Sequence, residues 1–127
     1  MRLVRLAVAR PGAAPRALPL AVWLAEDAAD MARGLGGAPV DPRVAMLFAF
    51  AAPARHAFHT RTMRGRLDFA FLRSDARGYD VLQVRDRVAP GELDVRGRAP
   101  YDAVLELPGG AAALAGVAAG ARIVVAG

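Results

Sequence analysis

Residues 58–72 read FHTRTMRGRLDFAFL, and this stretch decides how the rest of the chain is understood. It opens polar and basic, with His59, Thr60, Arg61, Thr62, Arg64 and Arg66, and it closes as an apolar strand. Over residues 66–73 the side chains alternate. Leu67, Phe69 and Phe71 face one way, and Asp68, Ala70 and Leu72 the other, which is the period-2 pattern of a β-strand. The densest set of polar groups in the chain, with His56 just upstream, therefore leads directly into a core strand.

Working outward, the pattern stays β-rich. Ser74–Gly78 (SDARG) is a turn between the 66–73 strand and a returning strand at 79–84, the arrangement of a hairpin. Upstream, residues 44–50 (VAMLFAF) form a continuous apolar run expected to be a strand buried on both faces, followed by a proline-containing turn at 51–54. Residues 3–8 and 18–24 are further strands, with Pro19 placing the second near an edge or a strand start. In that second strand Leu18, Leu20, Val22 and Leu24 share a face, and Trp23 points away from them, to cover an apolar surface or line a groove. Residues 26–33 carry acids early, Arg33 late and Gly34 beyond, the order of a short helix. Residues 85–100 are polar and irregular. Strands at 101–107 and 122–125 close the chain, with a helical turn near 110–115 between them. The expected fold is mostly β: a small single-domain barrel or sandwich of about eight short strands.

Composition narrows the function. The chain has 127 residues, 55% of them hydrophobic, enough for one self-sufficient core. There is no cysteine, which excludes disulfides, thiolate metal sites and a cysteine nucleophile. All 17 basic residues are arginine and the net charge is +5. The arginines are spread along the chain without a basic helix stripe or an aromatic ladder, so codon usage explains them more simply than nucleic-acid binding does. No run is long enough for a membrane span. Arg10, Pro11, Pro15 and Arg16 interrupt the only signal-like segment, at the N-terminus, and a cytoplasmic location is expected.

A family pattern accompanies these elements. Arg33-Gly34-Leu35 resembles the RGL of the family called domain of unknown function 192 (DUF 192). Ala45-Met46-Leu47-Phe48 resembles its GMLF, and Leu67-Asp68 followed by Phe71 its PLD strand. Leu105-Glu106-Leu107-Pro108 with Gly110 and Gly120 resembles its LELPAG and closing glycine. The order and spacing match from about Leu18 to Val125. The resemblance implies one β-rich domain over residues 1–127 and no established activity; related proteins are often exported from bacteria. The chain departs from the family at His59-Thr60-Arg61-Thr62-Met63, where relatives read WMKNT, at Arg66 in place of proline and at Ala45 in place of glycine.

Three functional readings follow. The first is a non-enzymatic binding module for an anionic or sugar-like small molecule, with Trp23, Arg33, His56, His59, Arg61, Arg64 and Asp68 as candidate ligand contacts, beside the loop from Arg85 to Arg98. The second is a hydrolase-type enzyme with Asp68 and Glu106 as paired carboxylates of raised pKa. Both acids lie within apolar strands, and the competing structural reading is a buried network with Arg33, or a bond to Asp68 from Thr60 or Thr62. The third is a protein-interaction or assembly domain using exposed strand edges. His56 and His59 have the spacing of two metal ligands, but only Asp68 offers itself as a third, so no metal is expected and no cofactor either. The single serine, Ser74, sits in a turn without a nucleophile motif.

Overall fold

The computed structural model describes residues 1–27, 31 and 40–126. Among the described residues nine strands form one sheet: β1 (Arg2–Val4), β2 (Leu6–Ala9), β3 (Arg16–Ala17), β4 (Ala21–Ala25), β5 (Val44–Ala54), β6 (Leu67–Ser74), β7 (Gly78–Val88), β8 (Tyr101–Pro108) and β9 (Arg122–Val125). One helix, α1 (Ala111–Ala115), lies between β8 and β9 and ends on Gly116, which takes the left-handed conformation (φ +76°). Of the helix expected over residues 26–33, Met31 is described, and its N–H donates to the Asp27 carbonyl at 3.0 Å. The remainder of that helix beyond Asp27, Arg33 included, lies outside the described residues.

The strand order is β1-β4-β5-β8-β6-β7-β9-β2-β3. All neighbours are antiparallel except β4 and β5, which are parallel. The two ends of this order share one piece of chain. Residues 2–9 pair with β4 through β1, break at Arg5, and pair with β9 through β2. The sheet therefore curls back on itself into a barrel-like form, the all-β solution that leaves little open edge.

Four expected boundaries move. The 79–84 strand runs on to Val88, so the first four residues of the stretch read as irregular, 85–88, belong to β7. The 3–8 strand is split at Arg5, because its two halves serve opposite ends of the sheet. The 18–24 strand starts only at Ala21; Leu18 instead follows β3, donates its N–H to the Leu6 carbonyl at 2.8 Å and is buried. The turn expected at 51–54 is instead the end of β5, whose pairing with β8 slips between Ala49 and Ala54, so Pro53 sits in an irregular stretch where a missing N–H is tolerated.

The central strands bury both faces. Inside the curl, Val22, Leu24, Leu47, Ala70, Leu72, Leu105 and Ile123 pack together. On the outer face Met46, Phe48, Leu67, Phe69, Phe71, Val104 and Tyr101 form a second core, joined by Phe58 and Phe50. Phe71 and Tyr101 meet tilted with centroids at 4.7 Å, Phe48 and Phe58 edge-on at 5.2 Å, and Phe69 and Phe71 stacked at 6.5 Å. Outer-face positions of β6 would be solvent-exposed in a bare barrel. Here the segment 55–66 and the loop 89–100 cover them. That explains why the polar stretch precedes an apolar strand: it is the lid on that strand's outer face.

Candidate functional site

The lid is built from residue-level ties. Thr60 is fully buried; its Oγ1 donates to the Ala89 carbonyl and accepts from the Glu92 N–H, both at 2.8 Å. Its own N–H donates to the Glu92 carbonyl, and its carbonyl accepts from Gly91 N–H. Phe58 and Val95 exchange backbone hydrogen bonds as an isolated bridge. Beneath the joined loops the Tyr101 hydroxyl donates to the His56 carbonyl and accepts from the Gly97 N–H at 3.3 Å.

Around this point three guanidinium groups converge. Arg55 Nε donates to the Gly97 carbonyl at 2.7 Å, Arg96 Nη1 to the Arg55 carbonyl at 3.1 Å, and Arg85 Nη1 to the Arg96 carbonyl at 3.5 Å. Among the described residues the carboxylate tied into the group is Asp94, 2.6 Å from Arg96 Nε. The His56 ring stacks on Phe50 with centroids 3.8 Å apart and has its Nε2 3.0 Å from the Ala52 carbonyl. Burial raises the Tyr101 phenol above its usual pKa, while the Gly97 N–H and the Arg55 and Arg96 charges pull the other way. The result is a cationic rim over an aromatic floor.

The residues singled out in the sequence fall in several places. His59, Arg61 and Arg64 are exposed on the same lid segment, with His59 Nδ1 accepting from the Arg61 N–H at 3.3 Å. Trp23 lies on the outer face at the opposite margin. Residues in register across the sheet form a row Leu3–Trp23–Met46–Glu106–Phe69–Arg85. At the usual interstrand spacing this puts Trp23 roughly 19 Å along the sheet from Arg85. Trp23 therefore does not join the rim.

Asp68 is not a rim group either. It is fully buried, and its carboxylate accepts from the backbone N–H groups of Arg87 (2.8 Å), Gly110 (3.0 Å) and Ala112 (2.9 Å). It thereby fixes the start of α1 and the non-glycine residue of β7 with positive φ, Arg87 at +50°. These three backbone donors stand in place of the expected bond from Thr60 or Thr62, and Arg33, the expected ion partner, lies outside the described residues. Glu106 lies on the outer face, 6% exposed, where burial pushes its carboxyl up to about 8. No hydrogen-bond or ion-pair partner for it occurs among the described residues. The two acids project to opposite faces of the sheet and do not form an acid–base pair. No group of three or more His, Asp or Glu side chains suited to a metal occurs among the described residues.

Arg55, Arg85 and Arg96 carry the convergence that sequence reading gave to Arg61 and Arg64. Their chain separation hid it, since nothing local announces that residue 55 meets residue 96. Only the density of arginine over 55–66 and 85–98 pointed to the neighbourhood.

Fold and lid together define a class: a single β-barrel-like domain whose outer core is roofed by two interlocked polar loops. The family model of DUF192, described as "Uncharacterized ACR", matches residues 11–125, and the chain belongs to that family. No curated protein matches the chain. Among solved structures, a Sinorhizobium meliloti protein described as a "putative transcription regulator" is 25% identical, with a TM-score of 0.84 over 98% of this chain and 94% of its own. A protein of unknown function from Novosphingobium aromaticivorans is also 25% identical, with a TM-score of 0.78 over 95% of this chain and 84% of its own. No helix among the described residues is long and apolar enough to cross a membrane.

Proposed function

We propose that this chain is a non-enzymatic binding module for a small anionic ligand, held at the arginine rim of Arg55, Arg85 and Arg96. The observation that carries the reading is the convergence of three guanidinium groups with one carboxylate among them. Guanidinium groups offer several fixed donors, and each of these uses one or two on the protein, leaving others for a carboxylate or phosphate. Arg61 and Arg64 on the same lid segment extend the positive field toward an approaching anion, and His59 beside them adds a polar ring. Catalysis by paired carboxylates has no support in the placement of Asp68 and Glu106.

The test is calorimetric titration with inorganic phosphate, glucose 6-phosphate and glucose at low salt. Binding of the two anions but not of glucose is expected. Arg85→Gln removes the donor with the longest protein contact and should weaken phosphate binding about tenfold, the worth of one charge-assisted hydrogen bond. Equal binding by wild type and Arg85→Gln, or no binding of either anion, would overturn the reading.

A further inference from the structure

A cleft of about 470 Å³ opens between the β2–β3 hairpin and α1. Val8, Leu18, Leu20, Pro42 and Leu114 line it, with alanines between them, and among the described residues its charged side chains are Arg10 and Arg16. A second hollow of about 300 Å³, along Gly116–Ala121, adjoins it and shares Arg10. Neither guanidinium has a hydrogen-bond or carboxylate partner among the described residues. Leu114 stands at the cleft 92% exposed, so a large apolar side chain faces water with nothing packed on it.

We propose that this cleft binds a free amphipathic carboxylate, its alkyl chain along Leu18, Leu20 and Leu114 and its head group at Arg16 and Arg10. The volume lies in the range of small-molecule pockets, and an apolar wall with few polar groups is their usual lining. Two cations, with no acid among the described lining residues, select a negative head. The hairpin holds one wall in place: Val8 and Arg16 are register partners, and the connecting loop carries Pro11, Pro15 and Gly12 at φ +74°. Arg10 has a competing structural role, because its Nε lies 3.1 Å from where a Cβ on Gly116 would stand, at the C-terminal end of α1. Arg16 and Leu114 are therefore the residues to alter.

The experiment is titration calorimetry with octanoate, decanoate and dodecanoate below their micelle concentrations, with acetate and decyltrimethylammonium as controls. Each two added methylenes should tighten binding about tenfold. Acetate should not bind measurably, and the cation should bind at least about tenfold more weakly than decanoate. Leu114→Glu, on an exposed position, should keep the wild-type unfolding temperature and abolish decanoate binding; Arg16→Gln should weaken it about tenfold. Arg85→Gln should leave it unchanged, which separates this cleft from the rim. Decanoate binding that survives Leu114→Glu, equal binding of the cation, or retention on phosphatidylglycerol vesicles without any binding of free decanoate would overturn the proposal.

Discussion

Asp68 and Glu106 stand on adjacent strands, and their register separates them: Asp68 is opposite Leu107, and Glu106 is opposite Phe69. One residue of offset in a pleated sheet reverses the face, so Asp68 turns into the curl and Glu106 turns out toward the lid. The two acids then meet their burial in opposite ways. Asp68 gathers three backbone donors, and Glu106 stays protonated well above the ordinary carboxyl range. One carboxylate is a structural clasp and the other a neutral acid in an apolar row.

Removing the clasp should be costly. Asp68→Ala leaves the N–H groups of Arg87, Gly110 and Ala112 without their acceptor in a buried site. Each unsatisfied buried donor costs about 1–3 kcal/mol, and relaxation recovers part of the sum, so a loss of about 3–5 kcal/mol is expected. Urea unfolding followed by circular dichroism measures it. A loss under about 1 kcal/mol would contradict this account of α1.

Glu106 makes stability depend on pH with a definite sign. Its folded pKa, about 8, lies above the unfolded value near 4.5. Below about pH 4.5 both states are protonated and the group contributes nothing adverse. Between there and about pH 8 the unfolded chain releases its proton and the folded chain keeps it, so stability falls as pH rises, by a few kcal/mol in all. Glu106→Gln should flatten the decline between about pH 5 and 8 and be more stable than wild type at the upper end. Unfolding midpoints of both proteins across that window decide it, and parallel curves would refute it.

Much of the fold was legible because its strands are long, apolar and bounded by turn residues. Leu67, Phe69 and Phe71 separate from Ala70 and Leu72 as the alternation requires, and the last strand falls at Arg122–Val125 as read. What sequence could not supply was the second core. A strand apolar on both faces says that something covers each face, but not which segment. Much of the cover, with the loop 89–100, is the polar stretch 55–66, whose arginines and histidines looked like a site in their own right. The rim was legible only as a neighbourhood for the same reason, since Arg55 and Arg96 are 41 residues apart and tied through backbone carbonyls. Leu18 was misplaced because burial alone does not distinguish a strand from a loop that returns to the core.

Tyr101 should govern how tightly the lid is shut. Its hydroxyl joins the His56 carbonyl on one loop to the Gly97 N–H on the other. Tyr101→Phe keeps the ring on Phe71 and removes both bonds, so about 1–3 kcal/mol of stability should go. The loss should be local first: amide exchange at Phe58 and Val95, the bridge between the loops, should quicken more than at Leu105 in the inner core. Uniform acceleration at all three sites would mean that the lid does not open independently of the barrel.

Gly78 marks where β7 passes β9 with no room for a side chain. It has φ +155°, and a Cβ there would lie 2.2 Å from the Ile123 carbonyl oxygen, inside any real contact distance. The neighbouring backbone is anchored, because Gly78 is also the register partner of Val124 and its N–H donates to Asp75 Oδ1 at 3.0 Å. Gly78→Ala must therefore push β9 away or twist the turn, at a cost of about 1–3 kcal/mol by overpacking. Because β9 also pairs with β2, the displacement should reach the closure of the curled sheet. Amide exchange at Ala7 and Val8 in the variant is the informative readout. Enhanced exchange there would show that the turn at Gly78 holds the closure, and wild-type exchange with a lower unfolding midpoint would confine the strain to the 75–78 turn.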